Sequence, residues 1–170
     1  PGAPGLAAAL PAPRHFAAVA ASWAATGTLG IFALMALVVA DVAGRNLLGR
    51  PITGVAEIAA RAVVAVVFLQ LPAAALAGRL TRSDILSRAA PGLGRALDAV
   101  FALVGASVFA AIAWAAWPEA LRAAATGDFF GVRGVFTIPT LPFWIVSLAG
   151  AGMTAVAYAL RAFCQPGARP

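Results

Sequence analysis

"FAAVAASWAATGTLGIFALMALVVA", residues 16–40, runs for 25 residues without a charged side chain and stops at Asp41. A hydrocarbon core of about 30 Å is crossed by about 20 helical residues, each advancing about 1.5 Å. Inside lipid a single segment must satisfy its own peptide groups, and a helix is the form that does so. This stretch therefore predicts a transmembrane helix. Three more uncharged runs follow, at 62–78, 99–118 and 134–160. The second is short alone. It reaches spanning length if its helix starts near Gly54 and takes Glu57 and Arg61 into its first turns. Pro72 is expected to kink that helix, because transmembrane helices tolerate proline.

Composition agrees. Of the 170 residues 62% are hydrophobic and 11% charged, with a mean hydropathy of +0.93. Soluble domains carry about 25% charged residues, so polar surface is too scarce here to cover a water-soluble core. The expected fold is an all-α integral membrane protein with four transmembrane helices, at about 16–43, 54–78, 96–118 and 138–161. They form one domain over 16–163. Residues 1–15, rich in Pro, Gly and Ala, are expected to be a disordered tail, and 164–170 a C-terminal tail. The small residues of "AALPAP" resemble a leader cleavage site, but the run that follows is long enough to span and is read as retained.

All 12 basic residues are arginine, against six acids, for a net charge of +6. They are spread through the links between apolar runs and form no stripe, so they read as membrane topology rather than as a nucleic-acid surface. Four spans place both termini on one side. The tails and the middle link hold seven arginines and the other two links five. This favours cytoplasmic termini. Four of the seven lie at Arg79, Arg82, Arg88 and Arg95, so the middle link, with "LAGRLTRSDIL" (76–86), does most to set the orientation.

The chemistry of the spans is sparse. Gln70 is the strongly polar side chain deep within them and reads as a packing residue. Ionisable groups in mid-membrane would mark a transport or proton path, and the middles of the four runs have none. One cysteine, Cys164, makes no internal disulfide or multi-cysteine metal site. One histidine, His15, stands at the foot of the first run and reads as interfacial. No catalytic residue, metal site or cofactor is expected. Glu57 and Arg61, spaced i, i+4 with the acid first, suit an ion pair at a helix start. That structural reading is preferred to an active-site pair. Ala102, Ala106 and Ala110, and Ser147, Ala151, Ala155 and Ala159, form small-residue stripes that let helices approach closely. Trp114, Trp117 and Trp144 are placed as an aromatic belt.

The links also carry an ordered motif. The first holds Asp41, Arg45, Arg50-Pro51 and Glu57. The middle one holds Gly78, then Arg82 two residues before Asp84. The last helix follows "IPTLPFW" (138–144), with Pro139 and Pro142. In this order and spacing, over about residues 16–163, the chain resembles the small permease subunit of tripartite ATP-independent periplasmic (TRAP) transporters. Many of that family carry a histidine two residues before the arginine, where this chain has Leu80.

The resemblance implies a non-enzymatic scaffold subunit of the bacterial inner membrane. Its expected partners are a large multi-helix permease subunit, a periplasmic solute-binding protein and membrane lipids. Uptake would be sodium-driven and the solute an organic acid or similar compound. Arg45, Pro51, Glu57, Arg61, Gly78, Arg82 and Asp84 are expected as partner-interface residues or interfacial anchors. Phe129, Phe130 and Phe136 in the third link are expected on a surface facing the binding protein. Two alternatives are an autonomous four-helix transporter acting as a homo-oligomer, and a membrane enzyme using Glu57, Arg61 or Asp84.

Overall fold

The computed structural model describes residues 13–77, 91–132 and 136–163. Four helices account for most of them: α1 (Arg14–Leu48), α2 (Val55–Leu76), α3 (Pro91–Thr126) and α4 (Leu141–Phe163). All four are long and apolar enough to cross a membrane. Between α3 and α4 lies a short antiparallel hairpin, β1 (Phe129–Val132) and β2 (Phe136–Pro139). Phe129 stands opposite Pro139, and Val132 opposite Phe136. The third link, read from the sequence as an aromatic, Gly/Pro-rich connection, thus contains strand structure. The expected anchors Gly78, Arg82 and Asp84, with Leu80, Cys164 and both tails' outer residues, lie outside the described residues.

Two helices, α1 and α3, outrun their apolar runs by two turns or more. The 36 residues of α3 extend about 54 Å, well beyond a hydrocarbon core of about 30 Å. The helix passes through Pro118, the expected end of this span, and stops before Gly127, whose φ is 63°. Alanines at 120 and 123–125 are strong helix formers. Glu119 and Arg122, paired at 3.1 Å one turn apart, support the continuation. Trp114 and Trp117 therefore mark the end of the apolar run rather than of the helix. At the other long helix, α1 ends on Gly49, which takes the left-handed conformation (φ 62°) and returns its N–H to the Gly44 carbonyl.

The helices lie side by side in the order α1–α2–α4–α3, each in extended contact with the next. This is an open row rather than a closed four-helix bundle. Small residues set the approaches. Gly27 of α1 lies against Leu69 and Gln70 of α2, and Gly30 against Val66. Gly105 of α3 faces the Tyr158 ring of α4, and Tyr158 stacks on Phe109 with centroids 5.9 Å apart.

The central seam, between the parallel helices α2 and α4, is the tightest. Gly150 sits directly on the Phe68 backbone carbonyl. Ala75, Thr154 and Ala157 are wholly buried. The Thr154 hydroxyl donates to the Gly150 carbonyl at 2.6 Å, which satisfies it inside an apolar seam. At the end of the seam Arg161 donates to the Ala75 carbonyl at 3.2 Å, a cation on the carbonyl end of α2. The buried line on α4 is thus Gly150, Thr154 and Ala157. Of the expected stripe only Ala151 is fully buried.

The flanking helices bury little. Leu29, Phe32, Met35 and Val39 on α1, and Phe101, Val104 and Trp114 on α3, are exposed, Trp114 by 81%. In lipid such side chains are solvated, and they also offer contact area to another membrane protein.

Candidate functional site

The features with the most chemistry gather at one end of the row, where α1 ends, α2 begins, α3 ends and α4 begins. Asp41 organises the first link. It is 7% exposed, and its carboxylate is shared between two donors. Oδ2 accepts from Arg45 Nη2 at 2.8 Å, and Oδ1 accepts from the Ile52 backbone N–H at 2.8 Å. One side chain thereby ties the last turns of α1 to the segment just before α2. Arg45 is mostly exposed and Pro51 is exposed, so both stand at the surface of this link. The sequence motif contains Asp41, but its role as a clasp needs Ile52 as well, 11 residues on.

Glu57 and Arg61 both lie in the first two turns of α2. Their spacing permits an ion pair, and the structure does not make it. Among the described residues Glu57 has no ion pair. The Arg61 guanidinium instead lies 4.3 Å from the centroid of the Phe130 ring. An arginine over an aromatic face gains a cation–π contact, while an exposed pair with Glu57 would gain little. Phe130 also meets Phe143 of α4 edge to face, with centroids 5.5 Å apart. The hairpin is therefore pinned onto both central helices through one side chain.

That packing buries one of the three phenylalanines of the third link. Phe130 is 6% exposed, because its ring fills the space between Arg61 and Phe143. Phe129, its neighbour in a strand, points to the other side of the ribbon and is exposed. Phe136 lies in β2 opposite Val132.

Beneath the hairpin the first turns of α2 and α4 diverge around a cleft of about 380 Å³. Glu57, Arg61 and Val64 line one wall; Phe143, Trp144 and Ser147 line the other. Thr140 closes the hairpin end, where its N–H donates to the Asp128 carbonyl at 2.9 Å. Among the described residues no group of three or more His, Cys, Asp or Glu side chains is placed to hold a metal. The arrangement offers one carboxylate, one guanidinium and two hydroxyls above an apolar floor, which suits binding rather than covalent chemistry.

Residues 34–166 match the family model described as "Tripartite ATP-independent periplasmic transporters, DctQ component". The matched segment includes the first link, the hairpin and the central seam. Neither a curated protein nor a solved structure matches the chain.

Proposed function

The chain belongs to the DctQ family, the small membrane subunit of TRAP transporters in the inner membrane, and on that premise we propose that it is a non-catalytic scaffold for the large permease subunit. The observation that carries this reading is the open row of helices. A closely packed α2–α4 seam sits at its centre, and broad apolar faces are exposed on α1 and α3. A transport domain that moves through the membrane needs a fixed part that resists tilting. Four spans laid in one layer widen such a part more than a compact bundle does. The charged side chains at the described helix ends fix its depth in the bilayer.

In this reading the permease moves an organic acid or similar solute, driven by sodium and delivered by a periplasmic binding protein. Arg45, Pro51, Glu57 and Arg61 anchor the outer end of the row; Gly78, Arg82 and Asp84 anchor the inner link. Phe129 and the β2 strand from Phe136 contribute to the surface met by the binding protein. Phe130 supports that surface from below.

Co-extraction tests the scaffold reading. A tagged chain, solubilised in mild detergent from cells expressing the whole transporter, is expected to elute with a much larger polytopic protein in fixed ratio. Elution alone or as a homo-oligomer would favour the autonomous-transporter alternative.

Both termini are proposed to be cytoplasmic, which puts the hairpin outside. In a Cys164→Ser background, Thr126→Cys should react with an impermeant maleimide in intact cells. Ser83→Cys should react only after the membrane is opened. The reverse pattern would invert the orientation.

A further inference from the structure

We propose that the cleft between the first turns of α2 and α4 holds the headgroup of a zwitterionic phospholipid, with the phosphate on Arg61 and the ammonium on Glu57. Three observations lead there. The first is the order of the lining along the two helices. Both charged groups, Glu57 and Arg61, lie in the first two turns of α2, and Val64 continues that wall without charge. The α4 wall starts at Thr140 and continues through the aromatic Phe143 and Trp144, with the Ser147 hydroxyl beyond them. A phospholipid likewise carries its charges at one end and its apolar chains beyond.

The second observation is that the two charges are kept apart. Glu57 and Arg61 are one turn from each other on the same helix, yet Arg61 is held on Phe130 and Glu57 has no ion pair among the described residues. The cleft thus presents an anion and a cation side by side, each able to take a counter-charge. A monoanionic headgroup answers one of them; a zwitterion answers both.

The third is the way Arg61 is held. Its guanidinium carbon lies over the Phe130 ring, 4.3 Å from the centroid, and among the described residues Arg61 makes no ion pair. A guanidinium carries five N–H donors in a fork that suits bidentate contact with phosphate oxygens.

The proposal rests on the membrane placement of α2 and α4 and not on the scaffold role. Its failure would leave the co-extraction result untouched.

Native mass spectrometry of the purified complex, and of the chain released from it, tests the proposal with phosphatidylethanolamine and phosphatidylglycerol of identical acyl chains. The wild-type chain is expected to retain phosphatidylethanolamine about five-fold better, since a single charge contact at the membrane surface is worth about that factor. Glu57→Gln should bring the ratio to about one, and Arg61→Gln should lower retention of both lipids about five-fold. Ser147→Phe, which fills the cleft from the α4 side, should abolish the preference while the unfolding temperature of the chain stays that of the wild type.

Equal retention of the two lipids by the wild type would overturn the proposal. So would an unchanged preference in Glu57→Gln or Ser147→Phe. Loss of the lipid when the large subunit is bound would also overturn it, and would mean that a protein side chain occupies the cleft.

Discussion

A Gly150→Leu chain is expected to lose the α2–α4 seam. A Cβ at position 150 would overlap the Phe68 carbonyl and lie 2.8 Å from the Phe68 Cβ. The obstacle is backbone, so no rotamer change relieves it, and the two helices must separate. Overpacking of this kind costs about 3 kcal/mol. Separation would also loosen the enclosure of Thr154 and Ala157 and the Arg161 contact with the Ala75 carbonyl, because these lie along the same seam. Gly152 is the matched control. A Cβ there meets no atom within 4 Å, so Gly152→Leu should change stability by less than about 0.5 kcal/mol. The unfolding midpoints of the purified chains in a denaturing detergent titration measure the difference. Equal midpoints for the two variants would mean that α2 and α4 do not approach as closely as Gly150 requires.

The second large effect is expected at Asp41. Asp41→Ala removes the acceptor of both the Arg45 side chain and the Ile52 N–H. Loss of a buried, charge-assisted acceptor shared by two donors should cost about 2 kcal/mol. Arg45→Ala should cost only about 0.5 kcal/mol, because the arginine is mostly exposed and such pairs are weak. Asp41→Asn keeps a carbonyl oxygen for Ile52 and should fall between the two. The same detergent titration orders the three variants. The ranking separates the clasp from a simple surface ion pair, which would make Asp41→Ala and Arg45→Ala equivalent.

These positions also show what could be read from residues alone. The spans were legible because charge brackets them: Asp41 closes the first apolar run, and Arg161 closes the last. The end of α3 was not, because Pro118 is an ordinary helix terminator. Here the alanines beyond it and the Glu119–Arg122 pair carry the helix on to Thr126. The length a span needs put Glu57 and Arg61 in the first turns of α2, where the structure has them. It did not reveal that Phe130, on a hairpin far along the chain, takes the arginine.

Small-residue stripes announced close helix contacts but not the partners. The stripe on α4 read from the sequence is rotated from the buried line through Gly150, Thr154 and Ala157. The row order α1–α2–α4–α3 depends on which faces meet, and each helix is apolar nearly all round, so periodicity carries little information about it. The family motif fared differently. Asp41, Arg45, Pro51 and Glu57 cluster at one end of the row, and the matched family covers them.

As a scaffold, this subunit would support transport without performing it, and uptake by proteoliposomes decides the point. Vesicles are loaded with this chain alone, with the large permease alone, or with both, and supplied with the binding protein, an inward sodium gradient and a panel of radiolabelled organic acids. No accumulation is expected with this chain alone, and sodium-dependent accumulation is expected when both subunits are present. Accumulation of solute by vesicles containing only this chain would make it a transporter in its own right and overturn the scaffold role.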